Sequence, residues 1–186
     1  NIRILNGRPM IFYSINNALN SELISDIVVT TDSEAVRIIA TQMGVKYKWR
    51  EEYLCKDDVT LDAVIFDAIP SNTRWDYIVT LQPTSPTLTV KTLDAAITYA
   101  ISNNLDTLIS AINQPHLSWR NENGTRVPNY KERLNRQYLP ACYMETGAFM
   151  ISRASVVTQK TRIGSRIDIY ELPENEAIDV DTFEDL

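Results

Sequence analysis

Residues 26–44 read DIVVTTDSEAVRIIATQMG, and this stretch decides the fold class. Its first part is a β-branched apolar run, which is typical of a buried strand in a parallel sheet. Asp32 or Ser33 then offers a helix cap, and residues 33–44 predict a helix that stops at Gly44. The stretch therefore predicts a strand followed directly by a helix, the βα unit of an α/β protein.

The same alternation continues on both sides of this unit. Upstream, Pro9 marks the start of a helix whose apolar residues have helical spacing. Downstream, the pattern predicts strands at 45–49, 76–81 and 106–112, and helices at 59–69 and 90–104. This alternation predicts a single α/β domain over residues 1–186, with a mostly parallel sheet covered by helices on both faces.

The alternation breaks after Ile112. Residues 113–142 are polar and aromatic, and NENG at 121–124 is typical of a hairpin turn. We interpret residues 113–142 as an arm that leaves the sheet to cover a neighbouring subunit or a substrate. Strand character resumes at 147–152 and 166–173, and the final AIDVDTFEDL (177–186) predicts a strand running into a helix.

Composition narrows the class of protein. The chain has 186 residues, 44% of them hydrophobic, which is enough for one sizeable core. A net charge of −6 with scattered Lys and Arg argues against a nucleic-acid partner. Cys55 and Cys142 form no metal-binding or disulfide pattern, so a reducing cytoplasm fits. No apolar run approaches the roughly 20 residues of a membrane span, and no signal peptide is evident, so no membrane partner is expected.

The loop after the predicted strand at 76–81 carries candidate binding groups. Ligands of open α/β sheets bind at the carboxyl ends of strands. There QPTSP (82–86) has two prolines that stop the strand and fix a loop carrying the amide of Gln82 and the hydroxyls of Thr84 and Ser85. A rigid recognition loop and a simple Pro-rich connector are both consistent with this pattern. The polar residues 31–34, after the earlier strand, are interpreted as helix capping.

The acidic end of the chain raises a second possibility. Asp179 and Asp181 alternate with Ile178 and Val180, so in a strand the apolar pair would face a core and the carboxylates would share the other face. Two carboxylates so close repel each other unless a cation lies between them. A cation site and a solvated strand end with a capping aspartate are the two interpretations.

Two arginine-containing segments offer anion contacts. Arg50 lies just past a predicted strand and shortly before Thr60, where it can meet a phosphate or a base, or form a surface ion pair. Arg136 and Gln137 lie in RLNRQYLP (133–140), whose planar arginine groups suit a carboxylate or remain solvated. His116 is the one histidine, and without a Ser or Cys partner it is interpreted as structural or as the wall of a pocket.

Six motifs in order and at these spacings resemble the acylneuraminate cytidylyltransferases over essentially the whole chain. They are GRPMI, TTDSE, QPTSP, RQYLP, ETGAFMIS and IDVDTFEDL. The resemblance implies a Rossmann-like nucleotidyltransferase fold. It also implies transfer of CMP from CTP to the anomeric hydroxyl of a nine-carbon 2-keto sugar acid, with release of pyrophosphate, by a cytoplasmic homodimer whose dimerisation arm is residues 113–142.

The resemblance also assigns roles to individual residues. The acidic end of the family binds magnesium, which implies that Asp179 and Asp181 are catalytic Mg²⁺ ligands. The motifs that face the sugar acid correspond to Gln82, Thr84, Ser85, Arg136 and Gln137. The positions near the cytidine nucleotide correspond to Asn1, Arg50 and Thr60.

This sequence departs from the family at several positions. Family members open with a strand and a Gly/Ser/Lys-rich triphosphate loop ending in Lys-Asn, and Asn1 matches that last Asn, so this loop and a C-terminal helix are expected outside the 186 residues. Thr87 and Leu88 replace the usual Leu-Arg, and ETG replaces Asn-Gly. The sugar therefore stays open among acetylneuraminate, legionaminate, pseudaminate and 3-deoxy-manno-octulosonate. A nucleotidyltransferase for a sugar phosphate and a non-catalytic nucleotide- or sugar-binding module are further alternatives.

Overall fold

The computed structural model describes residues 1–71, 73–182 and 184–185. Within these ranges the helices are α1 (Met10–Asn20), α2 (Glu34–Gln42), α3 (Leu61–Ala68) and α4 (Val90–Ser102). The strands are β1 (Ile4–Leu5), β2 (Arg8–Pro9), β3 (Val28–Thr31), β4 (Lys46–Trp49), β5 (Tyr77–Leu81), β6 (Thr107–Asn113), β7 (Trp119–Glu122), β8 (Thr125–Pro128), β9 (Tyr143–Arg153) and β10 (Ile167–Glu171). None of the helices in the described ranges is long and apolar enough to cross a bilayer.

The central sheet has four strands in the order β10-β6-β9-β5. β10 pairs parallel with β6, whereas β9 pairs antiparallel with both β6 and β5. The sheet is therefore mixed, and the predicted mostly parallel sheet is not confirmed. The physical reason is that no crossover helix follows β6 in the described ranges. The chain leaves the carboxyl end of β6, passes through the β7–β8 hairpin and re-enters the sheet at that same end, so β9 runs antiparallel to β6.

One face of this sheet is covered by α4. The helix places small and aliphatic residues at helical spacing on its inner side, which forms an apolar stripe. These residues pack on the inward side chains of β6 and β9. The buried contact consists of Leu93, Ala96, Ile97 and Ala100 of α4 against Leu108, Phe149 and Ile151 of the sheet.

The βα unit of residues 26–44 forms as predicted. β3 leads into α2, and the chain returns as β4, which pairs parallel with β3. Ile11 and Ile15 of α1 pack with Val36 and Ala40 of α2 and with Val45 in a second core cluster. The predicted helices before and after β3 are therefore confirmed as α1 and α2.

The arm contains the predicted hairpin. β7 and β8 pair antiparallel around Asn123 and Gly124, which both adopt positive φ angles of 50° and 87°. Two successive positive φ angles form the hairpin turn that Asn-Gly favours. The side chain of Asn121 accepts a hydrogen bond from the Gly124 N–H at 2.8 Å, which stabilises the turn. That the arm covers a partner subunit stays a prediction.

Candidate active site

The QPTSP loop after β5 is a meeting point for motifs that are far apart in sequence. The backbone N–H of Val180, in the acidic end, donates to the Thr84 carbonyl at 2.8 Å. The Ser85 hydroxyl, which is buried, donates to the carbonyl of Thr146 in β9 at 3.4 Å. From the other side, the Ser14 hydroxyl of α1 donates to the Gln82 carbonyl at 3.2 Å. Gln82, Thr84 and Ser85 thus lie where sequence analysis predicted, at the carboxyl end of β5 in the central sheet.

A large bulge in β9 shapes the surface beside this loop. Between two paired positions, the four residues 146–149 of β9 lie opposite the single residue Ser110 of β6. The Ser110 hydroxyl secures the bulge, because it accepts from the Phe149 N–H and the Thr146 hydroxyl, each at 3.0 Å. Bulges of this kind redirect side chains next to active sites.

The bulge brings Gly147 against the side chain of Gln82. Gly147 has a φ angle of +72°, which residues with a Cβ rarely adopt. A Cβ on this residue would lie 3.0 Å from the Gln82 Oε1 atom. Glycine in the ETG motif therefore leaves the space in which the Gln82 amide lies.

An open cleft lies on the face of the central sheet opposite α4. Thr80 and Met150 are directly paired, so both project to this face, and Gln82 follows two residues after Thr80 on the same side. The cleft is lined by Thr80, Gln82, Ile109, Glu145, Gly147, Phe149, Met150 and Arg162. It combines polar and apolar groups, as sites for small organic ligands do.

Sequence analysis missed Arg162 and Glu145, which both line this cleft. Arg162 is only 7% exposed; its Nε donates to Asp62 of α3 at 2.6 Å, and its Nη1 donates to the Thr80 hydroxyl at 3.0 Å. Arg162 lies in an irregular loop before β10, where no periodicity marks a buried position. The one available sequence signal for this cleft was the ETG motif, which contains Glu145 and departs from the family pattern. Such a departure indicates that the surface around the motif differs from that of the family.

The acidic end differs from the predicted strand. Residues 177–181 have no regular secondary structure, and Ile178 is 44% exposed whereas Val180 is 3% exposed. The strand prediction is wrong here because a single buried anchor, Val180, replaces the two apolar anchors of an alternating strand. The carboxylates of Asp179 and Asp181 flank this anchor and are exposed, and their assignment to a cation stays a prediction. The predicted helix at the end of the chain falls on residues 182–186: Thr182, Glu184 and Asp185 are not helical, and residues 183 and 186 lie outside the described residues.

The chemistry of these carboxylates fits a hard cation. Among the described residues, no hydrogen bond or ion pair engages the side chain of Asp179 or Asp181, and no group of three or more His, Cys, Asp or Glu is close enough to hold a metal. The carboxylate of Asp185, in contrast, accepts a hydrogen bond from the Thr182 N–H at 2.7 Å. Hydrogen bonding to Thr182 lowers the pKa of Asp185. Two carboxylates suit Mg²⁺, which takes its other ligands from water and phosphate.

The predicted nucleotide residues lie outside the lining of the cleft. Arg50 donates to the Thr30 carbonyl at 3.1 Å and is half-buried beside β3. Thr60 is exposed at the start of α3, and the Asn1 carbonyl accepts from the Ile11 N–H at 3.0 Å. The assignment of these three residues to the nucleotide stays a prediction.

Arg136 and Gln137 are exposed in a short 3₁₀-helix of the arm. Arg136 lines a separate groove together with Pro115, His116, Leu117, Leu134 and Leu139. His116 is thus the wall of a pocket, one of its two predicted placements. Within one chain, the structure does not bring Arg136 and Gln82 into the same cleft, so their shared contact with a sugar stays a prediction.

Comparison with known proteins adds sequence and fold relatives. The family model for cytidylyltransferases matches residues 1–180. The chain is 30% identical to a pseudaminic acid cytidylyltransferase of Campylobacter jejuni, over 97% of this chain and 83% of that protein. It is 29% identical to an N-acylneuraminate cytidylyltransferase of Streptococcus agalactiae, over all of this chain and 47% of that protein, so it spans about half of that relative.

Solved structures with the same fold include two cytidylyl-sugar enzymes. The 4-diphosphocytidyl-2C-methyl-D-erythritol synthase of Anaerococcus prevotii superposes with a TM-score of 0.70 at 11% identity, over 99% of this chain and 87% of that chain. A CMP:2-keto-3-deoxy-manno-octonic acid synthetase complexed with CTP gives 0.65 at 14% identity, over 92% and 82%. At these identities the likeness concerns the fold alone. Together with the match over residues 1–180, the arrangement of the motifs shows that this chain belongs to the cytidylyltransferase family.

Proposed function

We propose that this protein transfers CMP from CTP to the anomeric hydroxyl of a nine-carbon 2-keto sugar acid and releases pyrophosphate. The observation that carries the proposal is that the ETG bulge and the acidic end both contact the QPTSP loop, whose Gln82 lines the cleft. The 2.8 Å hydrogen bond between Val180 and Thr84 ties the acidic end to the loop that carries Gln82. The names of the Campylobacter and Streptococcus relatives support an acidic keto sugar as the acceptor.

The reaction joins two anionic reactants, so positioning and charge neutralisation dominate its catalysis. The anomeric oxygen forms a bond to the α-phosphorus, the bond from this phosphorus to the bridging oxygen breaks, and the hydroxyl proton is released. Gln82 orients the sugar through its amide, with Thr84 and Ser85 fixing the loop that carries it. Arg136 and Gln137 contact the sugar from the arm, and Asn1, Arg50 and Thr60 contact the nucleotide.

Asp179 and Asp181 are proposed to hold a magnesium ion. When bound, Mg²⁺ supplies positive charge at the triphosphate. The support for this role is that both carboxylates are exposed and unengaged among the described residues, beside the anchor Val180. The chain's contribution is to hold the backbone of these two residues beside the QPTSP loop, through the hydrogen bond from Val180 to Thr84.

A pyrophosphate-release assay with CTP and Mg²⁺ tests the proposal. Acetylneuraminate, legionaminate, pseudaminate and 3-deoxy-manno-octulosonate are offered in parallel, on the full reading frame. Release with one of the nine-carbon acids is the expected result. Release with the eight-carbon acid alone would identify a different keto sugar, and release with none would contradict cytidylyl transfer to this class of sugar.

The arm is proposed to pair two copies of the chain. Two of its large side chains are unusually exposed for apolar groups, Trp119 at 56% and Tyr138 at 68%, and Tyr143 and Met144 at the adjoining start of β9 are 47% and 52% exposed. Apolar surface of this kind marks an interaction site. Sedimentation velocity is expected to show a dimer, and the double variant Trp119→Ser, Tyr138→Ser is expected to sediment as a monomer. An unchanged dimer in that variant would place the subunit contact elsewhere.

A further inference from the structure

Arg162 is a buried cation at the floor of the candidate cleft, and the roles proposed above leave it without a function. Its guanidinium contacts Thr80, which precedes Gln82 by two residues on the same strand face. Arg162 therefore lines the same cleft as Gln82, whose amide is proposed to hold the sugar. Burying an arginine costs free energy unless its N–H donors form hydrogen bonds. The partners of Arg162 therefore indicate which donors are still available to a ligand.

The backbone that carries Arg162 is rigidly held. The Thr107 hydroxyl donates to the Arg162 carbonyl at 3.0 Å and accepts from the Gly164 N–H at 3.0 Å. Gly164 is packed so tightly that a Cβ on it would collide with the side chain of Asp106. Asp106 in turn accepts from the Arg166 N–H at 3.0 Å. This loop is preorganised, as loops that present binding groups need to be.

The guanidinium of Arg162 has donors to spare. Of its five N–H groups, one on Nε is directed to Asp62 and one on Nη1 is directed to Thr80. The Nη2 nitrogen makes no hydrogen bond among the described residues. Nor is it a buried atom without a partner, since those atoms belong to Asp67, Trp75, Thr87 and Ser152. Nη2 therefore retains some contact with solvent, and Arg162 is one of the residues that line the cleft.

The charges of the cleft define a direction. Arg162 is the cationic residue of the lining and Glu145 is the anionic one. Arg136, the arginine expected to meet the sugar acid, lines the other groove. Asp62 offsets much of the charge of Arg162, so the floor attracts a carboxylate mainly through the remaining Nη hydrogen-bond donors, whereas Glu145 at the rim repels it.

We infer that Arg162 binds the carboxylate of the acidic sugar through its free Nη donors, while Asp62 holds the guanidinium in place. The inference rests on the proposed function, because it takes a keto sugar acid as the ligand. It adds a specificity residue that separates sugar acids from their neutral analogues. Glu145 at the rim opposes the reversed orientation of the same ligand.

Binding affinity for an acid relative to its methyl ester tests the inference. Acetylneuraminate, legionaminate and pseudaminate, and the methyl ester of each, are titrated calorimetrically into the full protein with CMP present. The wild type is expected to bind its acid at least tenfold more tightly than the ester. Arg162→Met and Arg162→Gln are expected to bind acid and ester equally, since both lack the charge. Gln retains an amide donor toward Asp62, which provides a second variant if Met does not fold.

Two further variants separate binding from a structural role. Lys160→Met removes an equal charge two residues away at an exposed position that does not line the cleft, and it is expected to keep the wild-type ratio. Asp62→Asn keeps Arg162 but removes the competing carboxylate, and it is expected to keep or raise the ratio. A wild-type ratio in a folded Arg162→Met or Arg162→Gln protein would overturn the inference, as would the absence of acid binding by the wild type.

Failure of this inference and failure of the proposed function give different experimental results. Turnover with an acid preference that does not depend on Arg162 would overturn only the inference. Acid binding that depends on Arg162, without pyrophosphate release from CTP, would contradict only the proposed reaction.

Discussion

At the scale of single residues, Gly147 tests whether Gln82 holds the sugar. In Gly147→Ala, the new Cβ meets Gln82 Oε1 at 3.0 Å, and the φ angle of +72° adds strain of about 1–2 kcal/mol. We expect the KM for the sugar acid to rise several-fold while the KM for CTP changes little, as measured by steady-state kinetics.

Gly124→Ala provides a matched control for that experiment. Gly124 also has a positive φ angle, +87°, but a Cβ there meets open space. This variant therefore carries the same type of backbone strain without touching Gln82. If both alanine variants changed the sugar KM equally, Gln82 would not be the affected group.

Asp181 tests the proposed magnesium site. Its carboxylate is exposed and makes no contact among the described residues, so Asp181→Ala is expected to leave the melting temperature within a degree or two. Loss of a group that stabilises charge in the transition state lowers kcat by about 100-fold or more. Glu174→Ala, which removes another exposed carboxylate of the same region, is the control. Full activity of Asp181→Ala over a range of Mg²⁺ concentrations would rule out the assignment.

At the scale of elements, Glu176 joins the acidic end to the start of α4. Glu176 is buried, and its carboxylate accepts from the Thr89 N–H at 2.9 Å and from the Thr92 hydroxyl at 3.0 Å. A carboxylate at a helix N-terminus satisfies free N–H groups and the helix dipole. Glu176→Gln is expected to lower the free energy of unfolding by about 1–2 kcal/mol in urea denaturation. Glu171→Gln, at an exposed position, is the control, and an equal loss in both would contradict this capping role.

The loop before β10 should give the protein a specific acid sensitivity. Hydrogen bonds from Arg166 hold the pKa of Asp106 at about 2, below the roughly 3.9 of an unfolded chain. A lowered folded-state pKa stabilises the protein above the unfolded pKa, and this stabilisation is lost as the pH falls through the folded pKa. We expect the wild-type melting temperature to fall between about pH 4 and pH 2, and Asp106→Asn to show a shallower fall from a lower starting value. Parallel slopes in thermal melts would contradict the role of Asp106.

At the scale of the whole molecule, sequence periodicity predicted the elements better than their arrangement. The helices of residues 10–102 and the β7–β8 hairpin form where apolar spacing and turn residues placed them. The direction of β9 was missed because periodicity records which side of a strand is buried and carries no information on the partner strand. The tail at 177–181 was misread because alternation in a short segment does not distinguish a strand from a loop with one buried anchor.

The candidate site was predictable in its motifs and not in its buried polar groups. Gln82, Thr84, Ser85 and the acidic pair follow from position at strand ends and from the family resemblance. Arg162 was not predictable, since its burial depends on Asp62, which lies 100 residues earlier in the chain. Contacts at such separation leave no periodic trace in a single sequence.

The central claim is that this molecule joins CMP to an acidic keto sugar. The most direct measurement is ³¹P NMR of the full reading frame incubated with CTP, Mg²⁺ and each candidate sugar. The predicted result is a phosphodiester signal that grows with pyrophosphate and appears only with a nine-carbon 2-keto acid. Unreacted CTP with every sugar, or free CMP without a sugar adduct, would contradict the claim.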